Sequence, residues 1–315
     1  MGKITNQFAI VITYLVLFIT ITLLALLPRG VVFISHDYHV ERNFSIVWSQ
    51  YAGNIKSFLF HLFRGDLGLN IYDQPVMNDI SLYFLERSLP VIIGAFSLSL
   101  LLGVILGTCI FALKGKKIGK VSSSFVWSLQ ALPDFFFYIL IQMLLFQLFR
   151  WGFPSFSFYG YDDIHNYLIA MFIVSLFPSA FLALIIAPLL GEEENKRYIV
   201  TAKSKGITPF IVLWKHQWMN IMNRMVRHIH TVMVMVIGNL LIFEYMFYMR
   251  GAAMRLYQAM GFHGASIRGG YRSISSDGAF EVPVIIWLFA CFLLVSFFAH
   301  IIQSILSSYL DRRLN

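Results

Sequence analysis

Six apolar runs separated by polar stretches dominate the chain, at approximately 8–27, 89–113, 123–149, 168–190, 229–249 and 282–306. Each matches the roughly 20 helical residues that a hydrocarbon core requires. No alternation of apolar and polar positions runs through them, which argues against a β-barrel. Backbone groups in lipid must be satisfied within their own segment, so each run is expected to be a helix. The pattern predicts an all-α integral membrane protein with six transmembrane helices. Residues 1–27 form the first helix, 28–88 a long first external loop, and 89–315 a core of five helices. Lys3 ahead of the first run also gives the outline of a signal peptide. The length of the run, and Leu26-Leu27-Pro28-Arg29-Gly30 after it, a poor small-residue cleavage site, favour a retained helix.

Inside the external loop the period changes. Ile55, Phe58, Leu59, Leu62 and Phe63 recur at helical spacing, with Asn54, Lys56, Ser57, His61 and Arg64 on the other side. This describes an amphipathic helix at the membrane surface or against neighbouring spans. Gly65-Asp66-Leu67-Gly68 ends it. Pro90 is placed in the first turn of the second span, where its missing N–H needs no partner.

The third run contains Gln130, Pro133, Asp134, Gln142 and Gln147. Pro133 should kink or unwind the helix, and a carboxylate beside it must face protein or water. Gln130, Pro133, Asp134 and Gln142, with Glu244 from the fifth run, are therefore candidates for a translocation path or gate. A plainer reading of Asp134, as a helix-end residue near water, stays open.

Composition agrees with the membrane assignment. Hydrophobic residues make up 58% of the chain and charged residues 13%, against roughly 25% charged in soluble domains. The mean hydropathy is +0.71. Basic residues crowd particular loops: Lys114, Lys116, Lys117 and Lys120 after the second run, and Lys196, Arg197, Lys203, Lys205, Lys215, Arg224 and Arg227 after the fourth. Arg312 and Arg313 close the chain. The bias of Lys and Arg toward cytoplasmic loops puts both termini inside. The net charge of +8 is thereby a topology signal, and a nucleic-acid partner is not expected. Cys109 and Cys291 fall inside apolar runs, where a thiol packs as a small apolar group, so neither a disulfide nor a metal site is expected.

The loop at about 192–228 reads as a docking device. Residues 194–205 lack Gly and Pro, Lys203 and Lys205 fall in the last turn, and Gly206 stands at the exit. Thr208 is an expected N-cap and Pro209 an expected first helical residue. Phe210, Leu213, Trp214 and Gln217 then give a mostly apolar face. Ala202 would allow close approach of a partner, or is simply a good helix former. Glu192, Glu193 and Glu194 read as a solvated face or as N-terminal helix charge. His216 has no metal-ligand or catalytic spacing, since His228 and His230 are two apart.

The stretch from Tyr198 through Thr201, Ala202, Lys203, Lys205 and Gly206, with Pro209, His216 and Asn220 behind it, resembles the "EAA" loop of ABC importer permeases. Gly65-Asp66-Leu67-Gly68, Pro75-Val76, Arg87 and Leu89-Pro90 resemble the entry to the core of dipeptide and oligopeptide permeases. Ala131-Leu132-Pro133-Asp134-Phe135, Glu244 to Phe247 with Arg250-Gly251, and Tyr309-Leu310-Asp311-Arg312-Arg313 resemble further segments of that family. Arg224 stands where the family has a proline, Thr201 where the loop's Glu would be, and 261–278 is an extension.

The resemblance, to the dipeptide/oligopeptide/nickel ABC importer family, implies a type I permease fold with a cytoplasmic coupling helix. It also implies a second homologous permease, an extracytoplasmic substrate-binding protein, and two ATPase subunits that hold ATP and magnesium. The implied location is the bacterial cytoplasmic membrane, and the implied cargo is di- or oligopeptides, with nickel or metal–chelate complexes as the alternative. No Gly-x-x-x-x-Gly-Lys-Ser/Thr loop occurs, so the chain is expected to bind no cofactor and to be no enzyme itself. An ion-coupled transporter using Asp134, Glu244 and His300 as a relay is the rival reading, but it needs no docking loop. An intramembrane hydrolase lacks the paired carboxylates or Ser/His arrangement it would require.

Overall fold

The computed structural model describes the chain apart from residues 1, 28–29, 37–38, 46–47, 153–159, 162, 262–279 and 315. In chain order the elements are helix α1 (Gly2–Ala25), strands β1 (Gly30–His36) and β2 (His39–Ser45), and helices α2 (Trp48–Phe63), α3 (Val76–Asp79) and α4 (Leu89–Ala112). Helices α5 (Lys117–Ala131), α6 (Asp134–Arg150), α7 (Ile164–Glu194), α8 (Arg197–Ser204) and α9 (Pro209–Ile211) follow. The last are α10 (Trp218–Val226), α11 (Ile229–Met246), α12 (Ala252–Ala259) and α13 (Val282–Leu314). Two π-helical stretches, Ile80–Ser88 and Val212–Gln217, join α3 to α4 and α9 to α10.

Among the described residues five helices are long and apolar enough to cross a membrane, and six spans result if the bent pair α5 and α6 counts as one. The protein is a multi-pass membrane protein. Three expectations need correction. First, the third run is two helices bent by 110°. Pro133 forces its predecessor out of the helical region, and Leu132 is extended at φ −89° and ψ 142°. Second, the second span begins at Val76, so Pro90 lies inside a helix and not in its first turn. Pro90 has no N–H for the carbonyl four residues back, and the wider π turns of Ile80–Ser88 fall just ahead of it. Third, the all-α expectation does not extend to the whole first external loop, which holds a hairpin beside its helix. β1 and β2 pair antiparallel, with Val32 opposite Asn43 and His36 opposite His39. Val31-Val32-Phe33-Ile34 is a β-branched and aromatic run of the kind that favours strands. The extension at 261–278 falls almost wholly outside the described residues.

The chain divides into two compact units, Met1–Ser88 with Arg250–Val295, and Leu89–Met249 with Ser296–Asn315. In the first, the glycine-rich turn after α2 is fastened by long-range bonds. Trp287 Nε1 donates to the Leu67 carbonyl at 3.1 Å, and a Cβ on Gly68 would come within 2.9 Å of Pro283. Beneath it lies a buried ionic network. Arg255 Nε donates to Asp79 Oδ1 at 3.1 Å, while its terminal nitrogens reach Glu281 Oε1 at 2.7 Å and Oε2 at 2.6 Å. Asn70 Nδ2 donates to Asp79 Oδ2 at 3.1 Å, and the Ile71 N–H donates to Glu281 Oε2 at 3.1 Å. Burial works against the Arg255 charge, but the hydrogen bonds and charges of Glu281 and Asp79 outweigh it and hold its pKa above the ordinary value. Next to this network the Glu281 N–H bonds the Ala259 carbonyl at 3.0 Å.

In the second unit α4 lies along α7 through small residues. A Cβ would meet the Met171 sulfur at 2.3 Å from Gly94, Leu182 at 2.8 Å from Gly103, and Ile186 at 2.7 Å from Gly107. Lipid gives helices no hydrophobic reason to associate, so close backbone approach and its dispersion contacts take that role. Leu182, Ile186 and Leu190 of α7 continue this core against Trp218 and Ile221 of α10 and Val232 of α11.

Candidate functional site

The segment between α7 and α11 folds as a braced knob, and its local sequence explains why. Helix α8 ends at Ser204, and Gly206 takes φ +76°. The Gly206 N–H bonds the Lys203 carbonyl at 3.0 Å and the Ile207 N–H bonds the Ala202 carbonyl at 3.3 Å. This is the Schellman arrangement, in which a residue in the left-handed region lets two N–H groups return to the helix end. Its usual apolar contact is present too, because Ile207 packs on a small core of Ile199, Ala202 and Val212. Ala202 therefore faces the loop's own interior, which corrects the expectation that its methyl group meets a partner. Helix spacing puts Ala202 and Ile199 on one side, and that side is covered.

Nothing lies within 4 Å of a Cβ built on Gly206, so a substitution there is opposed by backbone conformation alone. Gly206→Val is expected to cost about 1–2 kcal/mol. Limited proteolysis at the loop checks this, and an unchanged cleavage rate would contradict it. Thr208 and Pro209 hold the expected N-cap and first helical positions, although the Thr208 side chain makes no capping hydrogen bond.

The loop is fastened at its base by a carboxylate that the sequence did not single out. Glu193, 1% exposed, receives Lys196 Nζ at 2.5 Å and an Arg224 terminal nitrogen at 3.1 Å. The Tyr198 hydroxyl also donates to Glu193. Asn220 Nδ2 donates to the Tyr198 oxygen at 2.8 Å and to the His216 carbonyl at 2.9 Å. Burial, then the bond to Glu193, pushes the Tyr198 phenol up to about 12, so it stays a hydrogen-bond donor at neutral pH. Arg224 reaches Glu192 as well, at 2.5 Å, and Lys203 reaches Glu194 at 3.4 Å. Glu193 is thus a buried anchor, whereas Glu192 and Glu194 stay at the solvated face. Asn223 donates to Asp311, and Arg227 lies 3.6 Å from it, tying α10 to the end of α13.

Of the sequence candidates, Tyr198, Asn220 and the His216 backbone are brought into one network. Thr201 donates to the Arg197 carbonyl at 3.0 Å and faces outward with Lys203 and Lys205. Beside these polar positions the loop presents an apolar patch. Phe210, Ile211 and Trp214 are all exposed, and the Phe210 and Trp214 rings lie 6.2 Å apart.

The candidate path residues are not gathered at one site. Gln130 Nε2 donates to the Phe177 carbonyl at 2.7 Å, and Gln142 Nε2 to the Met246 carbonyl at 2.7 Å. The second bond completes a helix end. The carbonyls of Phe243, Glu244 and Tyr245 accept from Phe247, Met249 and Tyr248, and Gln142 supplies the donor for Met246. Glu244 is fully buried and accepts from the Tyr161 hydroxyl at 3.0 Å. Asp134 is half-buried in the first turn of α6, where negative charge suits the helix dipole. Pro133 sits at the N-cap of that helix, at the break.

Several helices long and apolar enough to cross a membrane, with an ordered segment folded between α7 and α11, define a class, a polytopic membrane protein. Over residues 99–315 the chain matches the family described as binding-protein-dependent transport system inner membrane component. The chain belongs to that family. It is 27% identical over 212 residues to proteins of Brucella abortus and Brucella suis biovar 1, which carry the provisional name of peptide transport system permease protein. The match covers 64% of this chain and 66% of each relative, just under two thirds of their length. Its fold is similar to a chain of the MetNI methionine ABC transporter in inward facing conformations, with TM-score 0.54 and 12% identity, covering 73% of this chain and 97% of that one.

Proposed function

We propose that the chain is the transmembrane subunit of an ATP-driven importer in a bacterial cytoplasmic membrane, forming half of a translocation path for di- or oligopeptides. Family membership supports the transport role, and the name of the Brucella relatives supports the cargo. The observation that carries the mechanism is the braced knob: an exposed apolar tip of Phe210, Ile211 and Trp214 on a base fixed by Glu193. A rigid plug transmits a push, whereas a loose loop would absorb it. ATPase subunits that close on nucleotide would move this plug, and α7, α10 and α11, which share one core with it, would follow.

The lysines at 114–120 and the basic residues at 196–227 favour a cytoplasmic position for this loop and for both termini. The assembly would hold two ATPases, a second homologous permease and an extracytoplasmic binding protein, with ATP and magnesium bound by the ATPases. Gln130, Pro133, Asp134, Gln142 and Glu244 would act along the path chiefly by holding the helix break and the end of α11 in shape.

The test is reconstitution. The chain with its cognate ATPases, second permease and binding protein should take up a labelled dipeptide into proteoliposomes only when ATP is supplied on the side of the loop. In the same vesicles, cysteines placed at Lys117 and Tyr72 should react from opposite sides. ATP-independent uptake driven by a proton gradient would overturn the reading, and labelling of both cysteines from one side would overturn the topology.

A further inference from the structure

Helix α2 carries an apolar arc wider than its contact with α1 needs. Two bonds fix it to the end of α1: the Tyr51 hydroxyl donates to the Leu23 carbonyl at 3.0 Å, and Asn54 Nδ2 donates to the Leu26 carbonyl at 3.2 Å. Leu23 lies in the last turn of a spanning helix and Leu26 just past its end, where the backbone runs out of internal donors. The span itself is Gln7–Ala25, so the bonds hold α2 at the depth where α1 leaves the hydrocarbon.

At 100° per residue, Tyr51, Ile55, Phe58 and Leu62 fall on one flank of the arc and are partly covered. Trp48, Leu59 and Phe63 fall on the other flank and are exposed, Phe63 by 86%. Gln50, Ser57, His61 and Arg64 occupy the opposite side. Arg64 lies 4.0 Å over the Phe60 ring and His61 pairs with Asp66 at 2.9 Å, so the C-terminal polar side is ordered facing away from the apolar flank.

We propose that α2 is a membrane-surface helix, its Trp48, Leu59 and Phe63 flank embedded in the lipid leaflet at which α1 ends. Three observations select lipid over a protein partner. The exposed flank belongs to a helix bonded to the end of α1, whose own Leu23 and Leu24 are exposed in the last turn of its span. A tryptophan stands at its start, as is common at membrane interfaces. Lys56 borders the apolar arc, where its stem can lie along the acyl boundary while the ammonium reaches headgroup phosphates. The helix would sit about 5–10 Å into the headgroup and acyl boundary, and the end of α1 would be anchored sideways as well as along its axis.

Spin labels test this in the full chain reconstituted into vesicles of phosphatidylcholine and phosphatidylglycerol, with Cys109→Ser and Cys291→Ser removing the native thiols. Labels are placed singly through Trp48→Cys, Leu59→Cys, Phe63→Cys and Ser57→Cys. Collisions with oxygen, which concentrates in lipid, are compared with collisions with a water-soluble nickel chelate. Labels at 59 and 63 should favour oxygen several-fold, and the label at 57 should favour nickel. The label at 48 gives a second reading on the same flank if one of the others disturbs folding. Equal behaviour at 57, 59 and 63 would place the flank in water, and shielding of 59 and 63 from both reagents would place it under protein. Either result overturns the proposal.

Discussion

Replacing Phe210 and Trp214 together by Asp is expected to weaken association with the ATPase subunits on the order of a thousandfold and to abolish ATP-dependent uptake. Both rings are exposed at the tip of an otherwise braced loop. Aromatic anchors at protein interfaces commonly contribute about 2 kcal/mol each, and every 1.4 kcal/mol is tenfold in affinity. Neither residue belongs to a spanning helix, and the base of the loop is held by Glu193, Arg224 and Lys196 without them. The variant should therefore still insert and accumulate. Co-purification with the ATPases, read beside uptake, checks the result. Full association and normal uptake would remove the loop from the coupling pathway.

The second large effect is expected at Arg255. Arg255→Met strands two buried carboxylates, Asp79 and Glu281, that share its guanidinium. Breaking a buried ion pair from one side costs about 3–5 kcal/mol, because the charge left behind has no partner. Thermal unfolding of the purified chain in detergent should show the loss as a clearly lowered transition. Arg255→Lys should recover little, since a single ammonium cannot replace a fork that serves two carboxylates at four contacts. Adding Asp79→Asn and Glu281→Gln to Arg255→Met should return part of the loss. A transition unchanged in Arg255→Met would show that the network contributes nothing to stability.

What was legible in the sequence followed from local period and punctuation. Apolar length placed the spans apart from the start of the second and the break in the third, helical spacing marked the C-terminal part of α2, and Gly206 and Pro209 marked the bend of the loop. Pro133 announced a break but not its angle, which depends on what α5 and α6 pack against. Glu193 is hard to single out because one of its partners, Arg224, lies far along the chain, and three consecutive glutamates look solvated when read alone. The likeness of Arg224 to a mere departure from the family pattern hid the same contact. Sequence leaves Ala202 open between a partner contact and a plain helix former, because the neighbours that bury it, Ile207 and Val212, lie beyond the glycine turn. Gln142 looked like a polar residue in search of a path, since nothing local says that its amide completes the end of α11. The hairpin of β1 and β2 is not legible because its strands are short and pair only with each other, so the helical period further along dominates the reading of the first external loop.

The bond between Ala259 and Glu281 also bears on how the chain tolerates change. Its two ends meet at 3.0 Å, and Arg255 grips Glu281 independently of anything between them. Whatever is inserted there departs from and returns to a single point of the scaffold. Lengthening such an excursion costs only about 0.6 kcal/mol per doubling, so this is where related chains can diverge in length without re-tuning the bundle. It is equally a natural place to graft a tag or a reporter domain into a working transporter.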